Sequence, residues 1–201
     1  MNTIFIGTLL AAVAIALVTG WFYFRVGSSR PVPHILRRGQ PLPDFKAVTE
    51  SGAPVRSTEL HGTAAVILFV RGSWCPFCNS QVENLTRYYK NIVDRGARLI
   101  LVTPKPLETT RRVAEFFEVE FEFWLDESLA VAQQLELVDL QAVPDSYTKE
   151  YGLDTVWPTA LVVDRAGIIT YVRLSKTMAD RPDPQELLAA IDALADSDRD
   201  N

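Results

Sequence analysis

The chain has 201 residues, 48% of them hydrophobic, so it is long enough to bury a sizeable core. Its charge is unevenly distributed: residues 1–40 contain four arginines and no acidic residue, whereas residues 41–201 contain 16 basic and 25 acidic residues. An acidic region without a basic stripe argues against binding of nucleic acid.

The first predicted element is a membrane anchor. Residues Ile4 to Phe24 carry no charge, and a helix of these 21 residues would span roughly 30 Å, the thickness of a hydrocarbon core. Its last four residues, Trp21 to Phe24, are aromatic, as is typical of a membrane interface. A cleavable signal peptide is the alternative, but it requires a basic leader and small residues at the cleavage site. We therefore predict an uncleaved single-pass anchor over residues 1–26, of the bacterial inner-membrane type.

The arginines next to this anchor bear on its orientation. Arg25, Arg30, Arg37 and Arg38 all follow the apolar segment, and no basic residue precedes it. The positive-inside rule therefore predicts that the rest of the chain faces the cytosol.

A linker and a folded domain are predicted to follow. Residues 27–43 are rich in Pro, Gly, Ser and Arg and lack a periodic apolar face, which is typical of a linker. The domain is predicted over residues 44–196, with a charged tail at 197–201. Its first element is a predicted β-hairpin of Asp44–Thr49 and Pro54–Ser57.

The most informative segment begins with a buried strand and ends in two cysteines. Ala64 to Val70 is an uninterrupted apolar run, and after Arg71-Gly72-Ser73 the segment Trp74 to Cys78 is predicted to open a helix. Pro76 suits the first helical position, which needs no hydrogen-bond donor. Cys75 would then lie at the helix N-terminus, where free amides and the helix dipole lower the pKa of a thiol. We predict that Cys75 is the nucleophilic thiolate and Cys78 the shielded resolving thiol.

The cysteine pair has two alternative interpretations. A zinc site would need further ligands, and only His34 and His61 could join the cysteines with imidazoles. A purely structural disulfide would close so short a loop that it would stabilise little. The sequence therefore favours a redox-active pair, and no metal or cofactor is expected.

The remaining elements alternate between helices and strands. A helix follows the cysteines, because apolar residues recur at steps of four and three: Cys78, Val82, Leu85, Tyr89 and Ile92. Further along the chain we predict a strand at Ala97–Thr103, a helix at Leu107–Glu118, a strand at Phe121–Leu125 and a helix at Ser128–Leu137.

The last third begins with a polar, irregular stretch, Asp139 to Thr155, which we interpret as a loop beside the cysteines. A second β-hairpin, Ala160–Asp164 with Ile168–Leu174, is predicted to follow Trp157 and Pro158. Asp183, Pro184 and Glu186 form the capping signature of a final helix.

This order of elements resembles the thioredoxin fold, in its redoxin branch. The predicted fold class is therefore α/β, with a central mixed sheet flanked by helices and preceded by a transmembrane helix. LFVRGSWCPFC and YGLDTVWPTALVVDRAGIITYV are similar to the paired motifs of membrane-anchored thiol-disulfide oxidoreductases, such as those serving cytochrome c maturation. The resemblance covers Pro41 to about Ala195.

The resemblance implies roles for individual residues. Cys75 attacks, Cys78 resolves, and Trp74 packs beside them. Trp157, Pro158 and Thr159 match the segment that borders the substrate groove, and Pro158 matches the proline that has a cis peptide bond in that fold. Anchored members of this kind usually work outside the cytosol, which conflicts with the arginine placement and leaves the side of the membrane open.

Arg71-Gly72-x-Trp-Cys-Pro-x-Cys also resembles a branch of the peroxiredoxins, the AhpC/TSA family. Typical peroxiredoxins have Pro, Thr and Arg at the positions of Leu68, Gly72 and Pro158. These groups orient the peroxide, so their absence argues against efficient peroxide reduction. Arg71 is the candidate substitute cation, with Cys75 peroxidatic and Cys78 resolving.

A further difference concerns proton transfer. Ordinary thioredoxin has a buried Asp where this chain has Phe69. Glu83, the nearest acidic residue in sequence, is predicted to be solvated.

Three functions follow from these observations. The first is a membrane-anchored thiol-disulfide oxidoreductase that exchanges electrons between Cys75/Cys78 and the disulfide of a partner protein. The alternatives are a thiol peroxidase and, as the least favoured, a metal-delivery protein. The sequence identifies neither the partner, nor the direction of electron flow, nor the oligomeric state.

Overall fold

The computed structural model of the protein describes residues 13–16, 18–19, 30–105 and 121–197. Within these ranges there is no helix with the length and apolar character needed to cross a membrane. Most of the predicted anchor and the whole predicted helix Leu107–Glu118 lie outside the described residues. Both therefore stay predictions.

A mixed β-sheet of seven strands forms the centre of the molecule, in the order β2-β1-β5-β4-β3-β8-β9. Strands β3, β4 and β5 are parallel to one another, and the remaining pairs are antiparallel. A separate antiparallel pair is formed by β6 and β7. The strands are β1 Lys46–Thr49, β2 Pro54–Arg56, β3 Ala64–Phe69, β4 Ala97–Thr103, β5 Glu122–Leu125, β6 Val138–Asp139, β7 Thr155–Val156, β8 Thr159–Val163 and β9 Ile169–Leu174.

Four described α-helices accompany the sheet, namely α1 Pro76–Val93, α2 Ala130–Gln134, α3 Thr148–Tyr151 and α4 Pro184–Ser197. Helix α1 packs against α4 and β4. Short 3-10 turns lie at His34–Leu36, Ser57–Leu60 and Asp145–Tyr147.

Strand β3 is buried on both faces, which explains its continuous apolar sequence. Val66 and Leu68 point into a core that includes residues of α1 and α4. Ala65 and Ile67 point into a second core that includes α2. The two hairpins, the central strand and strand β4 are confirmed.

The predicted linker is not separate from the folded domain, which corrects the boundary at residue 43. Leu36 is fully buried, and the backbone amides of Gly39 and Leu42 donate hydrogen bonds to the carbonyls of Ile169 and Gly167. Arg30 donates to the carbonyls of Glu136 and Val138 at 2.7 and 2.6 Å. Pro and Gly suit an ordered, backbone-paired segment as well as a linker, so composition alone could not distinguish them.

Helix α2 begins two residues later than predicted. Leu129 has a left-handed backbone with φ of 57°, and the carboxylate of Asp126 instead accepts the amides of Val131 and Ala132 at 3.0 and 2.9 Å. The predicted loop from Asp139 to Thr155 is largely irregular, but its ends pair as β6 and β7, and it contains α3.

Candidate active site

Three chain segments meet at one end of the sheet, where β3 and β9 end and β8 begins, and the strand pairing brings them together. Phe69 pairs with Thr159, and Thr159 pairs with Leu174. The residues that follow β3, those that precede β8 and those that follow β9 therefore lie side by side. The cysteines belong to the first of these segments.

The cysteines occupy the start of α1 as the sequence predicts. Cys75 is the N-cap residue, and Pro76 is the first residue of the helix. The turn is held by the amide of Cys75, which donates to Gly72 at 3.2 Å, and by the side chain of Asn79, which donates to the Ser73 carbonyl at 2.8 Å. Cys75 is only 2% exposed and Cys78 is fully buried.

The two thiols have strongly different acidities. The side-chain hydrogen bond from Cys78 is the largest influence on Cys75, and together with the Cys78 amide and the charges of Arg181 and Arg71 it lowers the pKa of Cys75 to about 6, although burial opposes it. The same hydrogen bond, burial and the negative charge of Cys75 raise the pKa of Cys78. The first proton therefore leaves Cys75, and Cys78 remains a thiol beside the thiolate.

The cation that touches the sulfurs is Arg181, in the loop between β9 and α4. Its Nη2 lies 3.3 Å from the Cys78 Sγ and 3.8 Å from the Cys75 Sγ. Its Nη1 donates to the Asp180 and Met178 carbonyls at 2.6 and 3.0 Å, and to the Ser175 hydroxyl at 3.2 Å. Sequence reasoning missed Arg181. The strand pairing could have identified it, because that pairing brings the end of β9 close to the residues that follow β3, which include the cysteines.

Arg71, the predicted substitute cation, has a guanidinium that is bound by groups other than the cysteines. Its buried guanidinium donates to the Ala142 carbonyl at 2.6 Å, contacts the Met178 sulfur, and faces the Asp139 carboxylate at 3.4 Å. It lowers the pKa of Cys75 through its charge. The side chain of Arg181, and not that of Arg71, contacts the sulfurs, because Arg71 points into the segment from β6 to β7.

Aromatic side chains from that segment cover Trp74, so the predicted loop does lie beside the cysteines. Trp74 is stacked on Tyr147 with ring centroids 6.2 Å apart, and it meets Tyr151 edge-on at 6.5 Å. The Arg71 guanidinium lies 4.7 Å from the Trp74 ring centroid. The Tyr151 hydroxyl also forms a 2.8 Å hydrogen bond with Ser73.

Trp157, Pro158 and Thr159 link the site to the Arg181 loop. The Pro158 carbonyl accepts the Ser175 amide at 2.9 Å, and the Trp157 indole donates to the Ser175 carbonyl at 2.9 Å. The hydroxyl of Thr159 donates to the carbonyl of Trp157 at 2.9 Å. These bonds tie the segment to the start of the Arg181 loop.

The prediction of a cis peptide bond before Pro158 is wrong for this structure. The described residues contain no cis bond, so the peptide between Trp157 and Pro158 is trans. Trans is the usual isomer of a bond before proline, and the carbonyls of Trp157 and Pro158 both accept hydrogen bonds in this arrangement.

Four buried polar atoms in the described part of the chain have no hydrogen-bond partner, and all belong to residues of this site: Arg71 Nε, Trp74 Nε1, Asn79 Oδ1 and Arg181 Nε. Unsatisfied buried polar groups are rare in proteins, and a redox or catalytic role is one of the reasons for them. Arg181 also lines a cleft of about 290 Å³ with residues of α1 and α4. Among the described residues, no three His, Cys, Asp or Glu side chains cluster as metal ligands would.

Comparisons with known proteins agree with this architecture. The sequence model of the AhpC/TSA family matches residues 38–172. No curated protein matches the chain significantly.

Three similar solved structures show the fold. Peroxiredoxin 6 of Arenicola marina is 17% identical with a TM-score of 0.66, and the match covers 79% of this chain and 73% of that one. Peroxidoxin BcpB from Mycobacterium tuberculosis is 19% identical with a TM-score of 0.62, over 79% and 98% of the two chains. A protein described as a thiol:disulfide interchange protein DsbE, from Chlorobium tepidum, is 18% identical with a TM-score of 0.56, over 79% and 98%. The predicted thioredoxin-like α/β fold is thus confirmed.

Proposed function

The chain belongs to the AhpC/TSA family of oxidoreductases, and from this premise we propose that its dithiol exchanges electrons with the disulfide of a partner protein. The observation that supports this proposal is the separation of the two acidities. A thiolate at Cys75 is ready to attack, while Cys78 keeps its proton until it is needed.

The reaction proceeds in two displacements. The Cys75 thiolate attacks one sulfur of the partner disulfide, a Cys75–partner bond forms, and the other partner sulfur leaves as a thiolate that takes up a proton. Cys78 then loses its proton and attacks the Cys75 sulfur. The mixed disulfide breaks, the second partner sulfur leaves as a thiolate, and Cys75 and Cys78 are left as a disulfide. The partner gains two electrons, and the reverse sequence oxidises a partner dithiol.

A thiol peroxidase is the second candidate, and the burial of Cys75 favours it. Cys75 as a residue is 2% exposed, and a thiol buried to this extent is more accessible to a small peroxide than to the disulfide of a folded protein. In this reaction the Cys75 thiolate attacks a peroxide oxygen, the O–O bond breaks, and the leaving oxygen takes up a proton. Cys75 becomes a sulfenic acid, which Cys78 converts to a disulfide with release of water.

The two functions are distinguished by giving the reduced full chain either insulin or hydrogen peroxide. We expect reduction of insulin disulfides that is abolished in Cys75→Ser, and a trapped mixed disulfide in Cys78→Ser. Rapid consumption of peroxide with sulfenic acid at Cys75 in Cys78→Ser, and no insulin reduction, would establish the peroxidase instead. The wild-type disulfide form, which has no thiolate, is the matched control for both assays.

We also propose that residues 4–24 anchor the chain in a membrane, supported by their length, lack of charge and terminal aromatic residues. The full chain should then stay in the membrane fraction after alkaline carbonate washing. Recovery in the wash would contradict the anchor. Partners trapped by Cys78→Ser would identify the side of the membrane through their own compartment.

A further inference from the structure

We propose that Arg181 is a catalytic residue of the dithiol, stabilising first the Cys75 thiolate and then the Cys78 thiolate in the resolving step. This inference rests on the proposed dithiol chemistry, whether the oxidant is a disulfide or a peroxide. Its basis is that one guanidinium nitrogen lies near both sulfurs, 3.3 Å from the Cys78 Sγ and 3.8 Å from the Cys75 Sγ.

The guanidinium is held in place from behind. Nη1 donates to two carbonyls and one hydroxyl of its own loop, so Nη2 is left to face the sulfurs. The loop is in turn fixed to the site by the pair of hydrogen bonds between Ser175 and the Trp157–Pro158 segment. A charged donor positioned this way does not have to reorganise when charge moves from one sulfur to the other.

Cys78 is the thiol that ionises less readily and therefore depends more on a stabilising cation. In the reduced protein its pKa is raised, first by the hydrogen bond to Cys75, then by burial and by the negative charge of Cys75. Once Cys75 is bound in a mixed disulfide, its sulfur carries no charge. It then no longer repels a negative charge on Cys78, and it accepts a weaker hydrogen bond from the Cys78 thiol. Burial then remains as the main obstacle to ionisation.

Two groups counteract the effect of burial on the pKa of Cys78. The Arg181 charge and the backbone amide of Arg71 lower the pKa of Cys78. Within the part of the chain that the structure describes, no carboxylate shifts the pKa of either cysteine: Phe69 fills the position of the buried acid in thioredoxin, and Glu83 is exposed on α1. Among the described residues, the charged side chains that act on the cysteine pair are those of Arg181 and Arg71, and the one that contacts the sulfurs is Arg181.

In the resolving step Cys78 releases its proton to water, and its thiolate is stabilised by Nη2 of Arg181. The thiolate forms a bond with the Cys75 sulfur as the bond between Cys75 and the substrate sulfur breaks. The substrate thiolate leaves and takes up a proton. With a peroxide the leaving group is instead the oxygen of the sulfenic acid, released as water.

A neutral small disulfide, dithiodipyridine, tests this step without any partner protein. In the full chain, attack of Cys75 on this disulfide forms a mixed disulfide and releases one thiopyridone. Attack of Cys78 on the Cys75 sulfur then releases the second. For Arg181→Gln we expect the second phase to slow about tenfold at neutral pH, and its pH midpoint to rise by about one unit. The matched control is Arg95→Gln, which removes the same charge at the far end of α1 and should leave both phases unchanged.

The direction of the change in the pH midpoint separates catalysis from a structural role. Loosening the loop alone would admit water to Cys78 and lower the midpoint, whereas loss of the cation raises it. A second phase with wild-type rate and midpoint in Arg181→Gln would overturn the proposal. Should that variant not fold, Arg181→Met decides, because methionine keeps much of the side-chain length but carries no charge: a wild-type second phase there would also overturn the proposal. If insulin is not reduced but the second phase depends on Arg181, the partner proposal fails and this inference stands.

Discussion

Gly72 has a backbone conformation that side chains rarely allow, and it lies directly beneath two aromatic rings. Its φ is +129°, and a Cβ at this position would be 2.7 Å from the Tyr151 ring and 3.1 Å from the Trp74 indole nitrogen. The absence of a side chain therefore lets the β6–β7 segment close over the turn that precedes Cys75.

We expect Gly72→Ala to lower the free energy of unfolding by about 2 kcal/mol, because backbone strain and a steric clash act together. Urea unfolding monitored by fluorescence measures this loss. The control is Gly62→Ala, at φ of +90° with no atom within 4 Å of its Cβ, where strain acts alone and the loss should be smaller. Equal losses at the two positions would show that the aromatic contact contributes nothing.

The cysteine turn was predictable from sequence because all its determinants are local. Cys75, Pro76 and Cys78 lie within one helical turn, and their spacing alone places one sulfur at the helix start. Arg181 is 106 residues away from Cys75, and its contact depends on the pairing of three strands. No local pattern around Arg181 signals that contact, so only a correct sheet topology could have identified it.

At the scale of elements, the start of α2 depends on one buried carboxylate. Both oxygens of Asp126 accept backbone amides, one from Val131 and one from Ala132, although burial raises the pKa of this group. We expect Asp126→Asn to cost about 1–2 kcal/mol of stability, since an amide has only one acceptor oxygen.

Asp183→Asn at the start of α4 is the matched control for Asp126. There a single exposed oxygen accepts the Gln185 amide at 2.8 Å, and an amide side chain can replace it. Thermal unfolding of the two variants should therefore differ clearly. A loss at Asp183 as large as that at Asp126 would contradict the role of the second oxygen.

The bounds of β4 and the buried face of α1 were predicted well, and the bounds of the short helix α2 were not. Strand β4 was predicted with its observed bounds, and α1 with its buried face, because the apolar pattern extends over several turns or alternations. The boundaries of α2 could not be read this way. Its five residues are too few for periodicity, and its first residue is decided by the Asp126 cap.

At the scale of the whole molecule, folding and the redox state of the dithiol are linked. In the reduced, unfolded chain Cys75 keeps its proton up to about pH 9.0, whereas in the folded protein it loses it near pH 6. Between these values the unfolded chain binds more protons, so the stability of the reduced protein rises with pH. The disulfide form has no such group.

We therefore expect the reduced protein to gain stability relative to the oxidised protein from pH 6 to pH 9, as measured by urea unfolding of both forms. The pH range ends at 9 because Cys78 has a raised pKa in the folded protein. Above pH 9 the unfolded chain loses the Cys78 proton first, which lowers the stability of the reduced protein. Cys75→Ser should show no such gain. A difference between the two forms that stays constant over this range would contradict a lowered pKa at Cys75.

The class of the fold could be predicted from the alternation of elements, but the boundary of the domain could not. The strand order depends on long-range pairing that a single sequence does not display. The N-terminal boundary was misplaced because Leu36 is a single apolar residue among Pro, Gly and Arg, and its burial depends on a cavity formed elsewhere in the chain.

The packing of residues 30–42 determines where the chain can be cut. A shortened protein that starts at residue 38, where the family match begins, would lack the Leu36 side chain that fills the core beside α2. It would also lose Arg30, whose guanidinium lies 5.8 Å from the Trp157 ring centroid and joins the β6 backbone to the segment that leads into β8. A fragment intended for crystallisation should therefore begin before residue 30, even when the apolar N-terminus is removed.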